Sequence, residues 1–251
     1  MSSELISFDP NPRLRWLFCL AHPDDELAVC AWIRVLTSVG ASVTLSWMHD
    51  TAVREREARA VAQRLGVPEG QLYFHHAPDG NLIDDLPRWQ ESLREVVMAV
   101  EPDRVVTLAF EQGHLDHDAT NFLVNQVFSG PVFEFPMYHG YHSNIMPLNE
   151  FGSDEPYDTY ALDSDQSALK RTLLNAYPSQ TIRRNVVGYG WYRRLTLRPV
   201  YLDRRELLRP QTHRDWLRPN LRPYIARKVI RSARWQRWVK AMNANGQNSE
   251  S

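Results

Sequence analysis

The chain has 251 residues, 43% of them hydrophobic, and a formal net charge of −1 from 29 basic and 30 acidic side chains. This length suits one large domain, or a domain with an appendage, and the near-zero charge excludes a nucleic-acid partner recruited by global electrostatics. No apolar stretch approaches the roughly 20 residues of a membrane span, and the polar, acidic N-terminus lacks a secretory signal pattern, so a cytoplasmic location is expected.

In chain order, the apolar run Leu14–Ala21 predicts a strand and Leu27–Val39 a helix ending at Gly40. Ser42–His49 reads as a strand. Arg54–Leu65 has helical spacing, with Ala58, Val61, Ala62 and Leu65 on one face and Gly66 as its stop. Gln71–His76 is a short strand, Leu86–Val100 a helix entered through Pro87, Arg104–Phe110 a strand, Asp116–Phe128 a helix and Pro131–Tyr138 a strand. Strands alternating with helices of this length imply an α/β fold with a parallel sheet, and right-handed crossovers place helices on both faces. The pattern breaks after about Tyr141. Ser143–Asp163 reads as a long loop, Asp165–Ala176 as a helix and Thr181–Leu202 as a hairpin around Gly188–Gly190. Arg204–Lys240 is rich in Arg, Trp and Pro, and Asn243–Ser251 is polar and expected to be disordered. The expected organisation is a domain over 1–203 and an irregular basic extension over 204–251. Cys19 and Cys30 lack CxxC spacing and read as buried thiols.

Two clusters carry the chemistry. His22-Pro-Asp-Asp-Glu26 follows the first strand and precedes the first helix, and Gly113-His-Leu-Asp-His-Asp118 occupies the same kind of junction after the fourth strand. Open α/β sheets bind ligands at the carboxyl ends of their strands. Imidazole plus carboxylate is a typical zinc donor set, and a catalytic zinc keeps three protein ligands and one open position. His22, one of Asp24 and Asp25, and one of His114 and His117 would supply those three. Asp116 reads equally well as a helix N-cap.

These motifs resemble the PIG-L/LmbE-type zinc-dependent N-deacetylases. His22-Pro-Asp-Asp-Glu26 is similar to that family's first motif and His114-Leu-Asp-His117 to its second. Arg54-Glu-Arg-Glu57 with Ala58–Gly66, Pro78-Asp79-Gly80, and Lys170 through Ser179-Gln180 are weaker matches. The resemblance spans roughly residues 13–182. It implies a Rossmann-like three-layer sandwich with a mostly parallel sheet, and zinc on His22, Asp25 and His117. It also implies Asp24 as general base, His114 as donor to the oxyanion or leaving amine, and Asp116 as the group that orients His114. The implied reaction is removal of an N-acetyl or other N-acyl group from an amino-sugar derivative by zinc-activated water. Another divalent ion could replace zinc, and an amidase acting on a non-sugar or thiol-conjugate amide is the alternative. A non-enzymatic α/β binding domain is a weaker reading, because no ligand or base position is missing and no GxGxxG follows the first strand.

Substrate contacts are expected from Arg54, Asp79, Tyr138 and His139, with His142 beside them. His75 and His76 read as structural or rim residues. The segment His49-Asp50-Thr51-Ala52 is shorter than the Gly-rich loop common in the family. The partner is a small molecule, an amino sugar or glycoconjugate, and a homo-oligomer is compatible with the sequence. The basic tail, with aromatic residues interleaved over Tyr224–Met242, could lie on an anionic membrane, but packing against the domain or another subunit is the favoured reading.

Overall fold

The computed structural model describes residues 7–141, 148–180 and 202–248. Strands β1 (Arg15–Leu20), β2 (Ser42–His49), β3 (Leu72–Ala77), β4 (Arg104–Leu108) and β5 (Val132–Phe135) pair in parallel in the order β3-β2-β1-β4-β5. β1, Arg-Trp-Leu-Phe-Cys-Leu, is buried from Trp16 to Leu20, as a strand covered on both faces requires. Helices α1 (Cys30–Ser38) and α2 (Ala52–Leu65) belong to one crossover side, and α3 (Leu86–Val100) and α4 (Leu115–Val127) pack together on the other. Two apolar clusters follow, one on each face. Trp16, Trp32, Trp47 and Leu65 sit in the first, and Leu17, Trp89, Leu93, Phe122 and Trp238 in the second.

Local chemistry sets the boundaries. Thr51 caps α2 by accepting from the amide of Arg54, and Gly66 ends it at φ 81°, where a side chain would be strained. α5 (Ser164–Leu173) starts with a reciprocal capping box between Asp163 and Gln166. The first predicted helix is interrupted: a 3-10 turn over Asp25–Ala28 precedes α1.

The C-terminal part differs from the irregular extension read in the sequence. β7 (Arg205–Pro210) pairs antiparallel with β5 and with β6 (Asp158–Ala161), giving the seven-stranded order β3-β2-β1-β4-β5-β7-β6. β6 lies inside the stretch expected to be a loop. It is a short edge strand in an acidic, Pro-rich context, and it gains its partner only from residues near 206. Tyr224–Met242 is two helices, α6 (Pro223–Val229) and α7 (Ala233–Asn248), and α7 runs through residues expected to be disordered. Val229, Trp235, Trp238 and Met242 are buried in the second apolar cluster. The hairpin expected over Thr181–Leu202 falls, up to residue 201, outside the described residues, as does His142. Cys19 and Cys30 are buried and unbridged. Among the described residues no helix is long and apolar enough to cross a membrane.

Candidate functional site

Strand order reverses between β1 and β4, whose parallel register pairs Cys19 with Thr107. The turns that leave these two strands therefore emerge side by side, at the crevice where open α/β sheets bind ligands. One turn carries His22, Asp24 and Asp25, the other His114, Asp116 and His117. The fold thus brings the two sequence motifs together.

In the first turn the Asp25 carboxylate accepts the amides of Ala21 (3.1 Å) and His22 (2.8 Å) through Oδ2. Its Oδ1 lies 3.4 Å from Nε2 of His117. Asp24 sits at φ 114°, a conformation side chains rarely adopt and one that costs on the order of 1–3 kcal/mol. It is held there by its neighbours. Its amide donates to Glu26 (3.1 Å), and Arg54 Nη2 donates to the Pro23 carbonyl (2.7 Å) and to Asp24 Oδ1 (3.1 Å). Glu26 is fully buried and also accepts from Trp47 Nε1 (3.1 Å) and from the Tyr177 hydroxyl.

In the second turn Gly113 is required by contact. A Cβ there would lie 1.9 Å from the Tyr138 carbonyl oxygen. That close approach sets the Tyr138 ring 5.2 Å, centroid to centroid, from His117. His114 caps α4 with its ring, Nδ1 accepting the Asp116 amide at 3.2 Å. Asp116 is buried, and its imidazole partner is His22 (3.2 Å to Nε2), while His114 Nδ1 is 3.9 Å away. Asp116 also accepts the amides of Gly80 (2.7 Å) and Leu82 (3.2 Å). The carboxylate expected behind His114 thus stands behind His22, because α4 begins with His114 turned back onto its own first amides.

Rings of His22, His114 and His117 lie 5.0–5.4 Å apart, and one nitrogen from each falls within 4.8 Å of the others. The His117 Nε2 atom is buried without a hydrogen-bond partner. Its 3.4 Å approach to Asp25 is an ion-pair distance without hydrogen-bond geometry. Such an orphaned imidazole nitrogen is costly unless something else coordinates it. The donor set, imidazoles with carboxylates, fits a divalent ion of the zinc class. A second grouping, His22, Asp79, His114 and Asp116, shares this centre; a third, Asp50, Glu55 and His76, lies at the tip of β2. There the donors are already engaged, Asp50 with His76 (2.7 Å) and Glu55 with Arg59.

Charge in the centre is strongly perturbed. Burial alone would lower the His22 pKa, but Asp116, Asp79 and Asp25 outweigh it and hold it at about 10. Burial raises Asp25, yet His117 and His22 bring it down to about 2. Asp24 is pushed up to about 8 by burial and by the neighbouring Asp25 charge, against Arg54. His114 is lowered to about 4 by burial and by His117 and His22. Four carboxylates thus surround three imidazoles, and the cluster demands positive charge.

The remaining expected contacts separate. Asp79 is at the mouth, its side chain 60% exposed, 3.3 Å from His22 Nε2 and 4.0 Å from His49 Nε2. Tyr138 faces His117. Arg54 is buried and turned inward onto the Asp24 turn, since it stands on the first turn of α2 directly beside it. His139 is buried against Gly152, and its described contacts include none of the three clustered histidines. His75 is bonded to Ser46 and Ser92 and is structural. Sequence reasoning missed His49, whose ring is 5.6 Å from His22; its place as the last residue of β2 was the available signal. It also missed Glu26 as a buried acceptor.

Comparison with known proteins agrees with this geometry. Residues 17–128 match the model of the PIG-L family, described as GlcNAc-PI de-N-acetylase. No curated protein matches the chain. Among solved structures, a triple mutant of a deacetylase of the teicoplanin biosynthetic pathway is similar at 18% identity and TM-score 0.59, over 78% of this chain and 97% of that one. N,N'-diacetylchitobiose deacetylase from Pyrococcus horikoshii is similar at 18% identity and TM-score 0.53, over 83% and 89%. GalB, the 4-carboxy-2-hydroxymuconate hydratase from Pseudomonas putida KT2440, is similar at 15% identity and TM-score 0.50, over 81% and 98%. At these identities the structures share a fold. The expected resemblance to PIG-L/LmbE deacetylases, and the α/β fold with a mostly parallel sheet, are borne out.

Proposed function

We propose that this protein is a zinc-dependent N-deacetylase that removes an acetyl or related acyl group from the nitrogen of an amino-sugar derivative. The observation that carries the reading is the buried, unpartnered His117 Nε2 facing Asp25 Oδ1 beside His22, with Asp24 held in a strained turn next to them. His22, Asp25 and His117 are the ligands. His114 is set apart from them by its hydrogen bond: with Nδ1 accepting the Asp116 amide, a neutral His114 carries its proton on Nε2 and is a donor there. Asp116 orients His22 from behind, as carboxylates do for ligating imidazoles.

When bound, the metal supplies an activated water and polarises the amide carbonyl. Asp24 takes the proton from the attacking water and delivers it to the amide nitrogen as the C–N bond breaks, so that the amine leaves protonated and Asp24 is restored. A positioned aspartate carboxylate is a competent general base for that transfer. Arg54 and Glu26 keep it aimed. His114 donates from Nε2 to the amide oxygen as negative charge develops, which is electrostatic stabilisation by a preplaced donor. Asp79, at the mouth, and Tyr138, beside His117, accept and donate hydrogen bonds to the sugar. The PIG-L match supports this substrate class, and a non-sugar amide is the alternative. The hydratase with the same fold shows that the architecture alone does not choose the reaction.

The test is metal analysis of the purified protein, followed by a screen for released primary amine over N-acetylglucosamine derivatives. About one divalent ion per chain and amine release are expected, with His117→Ala losing most of the metal. Full occupancy in that variant overturns the ligand assignment, and metal-loaded protein inert towards every N-acyl amide overturns the reaction.

A further inference from the structure

We propose that Arg237, on the C-terminal helix α7, is a positioning residue for Asp79, so that the tail shapes the mouth of the site. The inference rests on reading the His22 cluster as the hydrolytic centre.

The turn Pro78-Asp79-Gly80-Asn81 is held from two sides. Inside, the Asp116 carboxylate accepts the amides of Gly80 (2.7 Å) and Leu82 (3.2 Å). Outside, Arg237 Nη1 donates to the Gly80 carbonyl (3.2 Å), and Nη2 donates to Asn81 Oδ1 (2.8 Å) and to Asp84 at 2.9 and 2.8 Å. Both polar groups of Gly80 are therefore fixed, one by the site and one by the tail. Ala77, Leu82 and Ile83 anchor the two ends of the turn in the second apolar cluster, but its tip is not packed. Gly80 has φ 73°, and a Cβ there would meet nothing within 4 Å. Between these anchors the two clamps fix the tip of the turn, and with it the Asp79 carboxylate that follows Pro78 towards His22.

An exposed ion pair alone contributes little, and Arg237 is 41% exposed. Two features set it apart. Its guanidinium spans three neighbouring acceptors with a planar fork that lysine lacks. Its helix is firmly docked, with Trp235 and Trp238 buried and Trp238 Nε1 donating to the Trp216 carbonyl at 2.7 Å. The Asp79 side chain itself is 60% exposed and stands 3.3 Å from His22 Nε2. An exposed carboxylate side chain in that place accepts from hydroxyls, which favours a hydroxyl-bearing group next to the scissile amide.

The experiment uses the metal-loaded full chain and compares Arg237→Met, Arg237→Lys, Asp79→Asn and the double variant Arg237→Met/Asp79→Asn on an N-acetylglucosamine glycoside. Arg237→Met and Asp79→Asn should each raise KM by about tenfold with kcat within about twofold, the signature of lost binding shared by ground and transition states. Arg237→Lys should fall between wild type and Arg237→Met. The double variant should be no worse than Asp79→Asn alone, because the two act through one group. Amide hydrogen exchange over residues 78–84 should quicken in Arg237→Met while β1 is unchanged. Unaltered KM and exchange in Arg237→Met, or additive effects in the double variant, overturn the proposal. If the wild type hydrolyses no N-acyl amide, the deacetylase reading fails, and exchange over 78–84 decides the clamp by itself.

Discussion

Replacing Asp116 by Asn tests the inner support of the site. The Asp116 carboxylate is buried and meets two backbone amides, Gly80 and Leu82, with one oxygen each, while Oδ2 also faces His22 Nε2 at 3.2 Å. An asparagine offers one oxygen and one NH2. Whichever way it turns, one amide confronts a donor, and an orphaned buried donor costs about 1–3 kcal/mol. For a chain of this size about 1 kcal/mol moves the unfolding midpoint by about 2–4 °C, so the metal-free variant should melt about 2–12 °C below metal-free wild type. His22 loses its orienting carboxylate as well, and such losses typically weaken metal binding by about 10–100-fold. Scanning calorimetry in chelator measures the first quantity, which keeps the ion's own stabilisation out of the comparison. Competition with a chromophoric chelator measures the second. An unchanged metal dissociation constant, with the midpoint lowered as expected, would refute the role given to Asp116 behind His22.

Three further outcomes follow from the same geometry. Asp24→Asn should keep the metal and the fold but lower kcat by about 10²-fold or more; steady-state kinetics at full metal content measures it, and unchanged turnover removes Asp24 from the chemistry. Glu111 is fully buried and its pKa is pushed up to about 8 by burial, against Arg209. A raised acid pKa contributes stability that is complete below the ordinary value near 4.5 and is lost as pH rises through 8. Wild type minus Glu111→Gln, measured by urea unfolding from pH 4.5 to 9, should therefore decline across that window, and a flat difference contradicts it. Deleting residues 204–251 should give an insoluble or destabilised protein that binds no anionic vesicles, since it removes β7 from between β5 and β6; a soluble, active truncation that has lost salt-sensitive vesicle binding seen in the full chain would instead favour the membrane reading.

The parallel half of the fold was legible because each strand is an unbroken apolar run and each helix carries its own start and stop. Ser42–His49 and Leu86–Val100 are observed with the expected bounds. The meeting of the two His/Asp motifs was legible for the same reason: their strands point them at one crevice. What escaped was set by distant partners. β6 is an edge strand defined by β7, some 45 residues later, and nothing local in Asp-Thr-Tyr-Ala announces it. Arg54 and Asp116 do lie beside the two turns, but their partners, Asp24 for the first and His22 for the second, depend on how α2 and α4 lean on the β1 turn. The buried charges Glu134, Arg209, Lys170 and Glu206 look like surface residues in sequence, and only the antiparallel strand β7 brings the opposite charges to each other.

Glu206 has a consequence for the order of events during synthesis. Its carboxylate accepts the amides of Ala31 (2.9 Å) and Trp32 (2.8 Å) at the start of α1, and Lys170 joins it at 2.6 Å while donating to the Ala28 carbonyl at 2.7 Å. The amides that open the first crossover helix thus wait for an acceptor 175 residues further on. A ribosome that has made both His/Asp motifs has not yet made the group that finishes the backbone beside the first of them. The growing chain should therefore hold metal poorly until the seventh strand emerges and closes the sheet. Folding then depends on contacts distant in sequence, which makes it slow compared with domains of local topology.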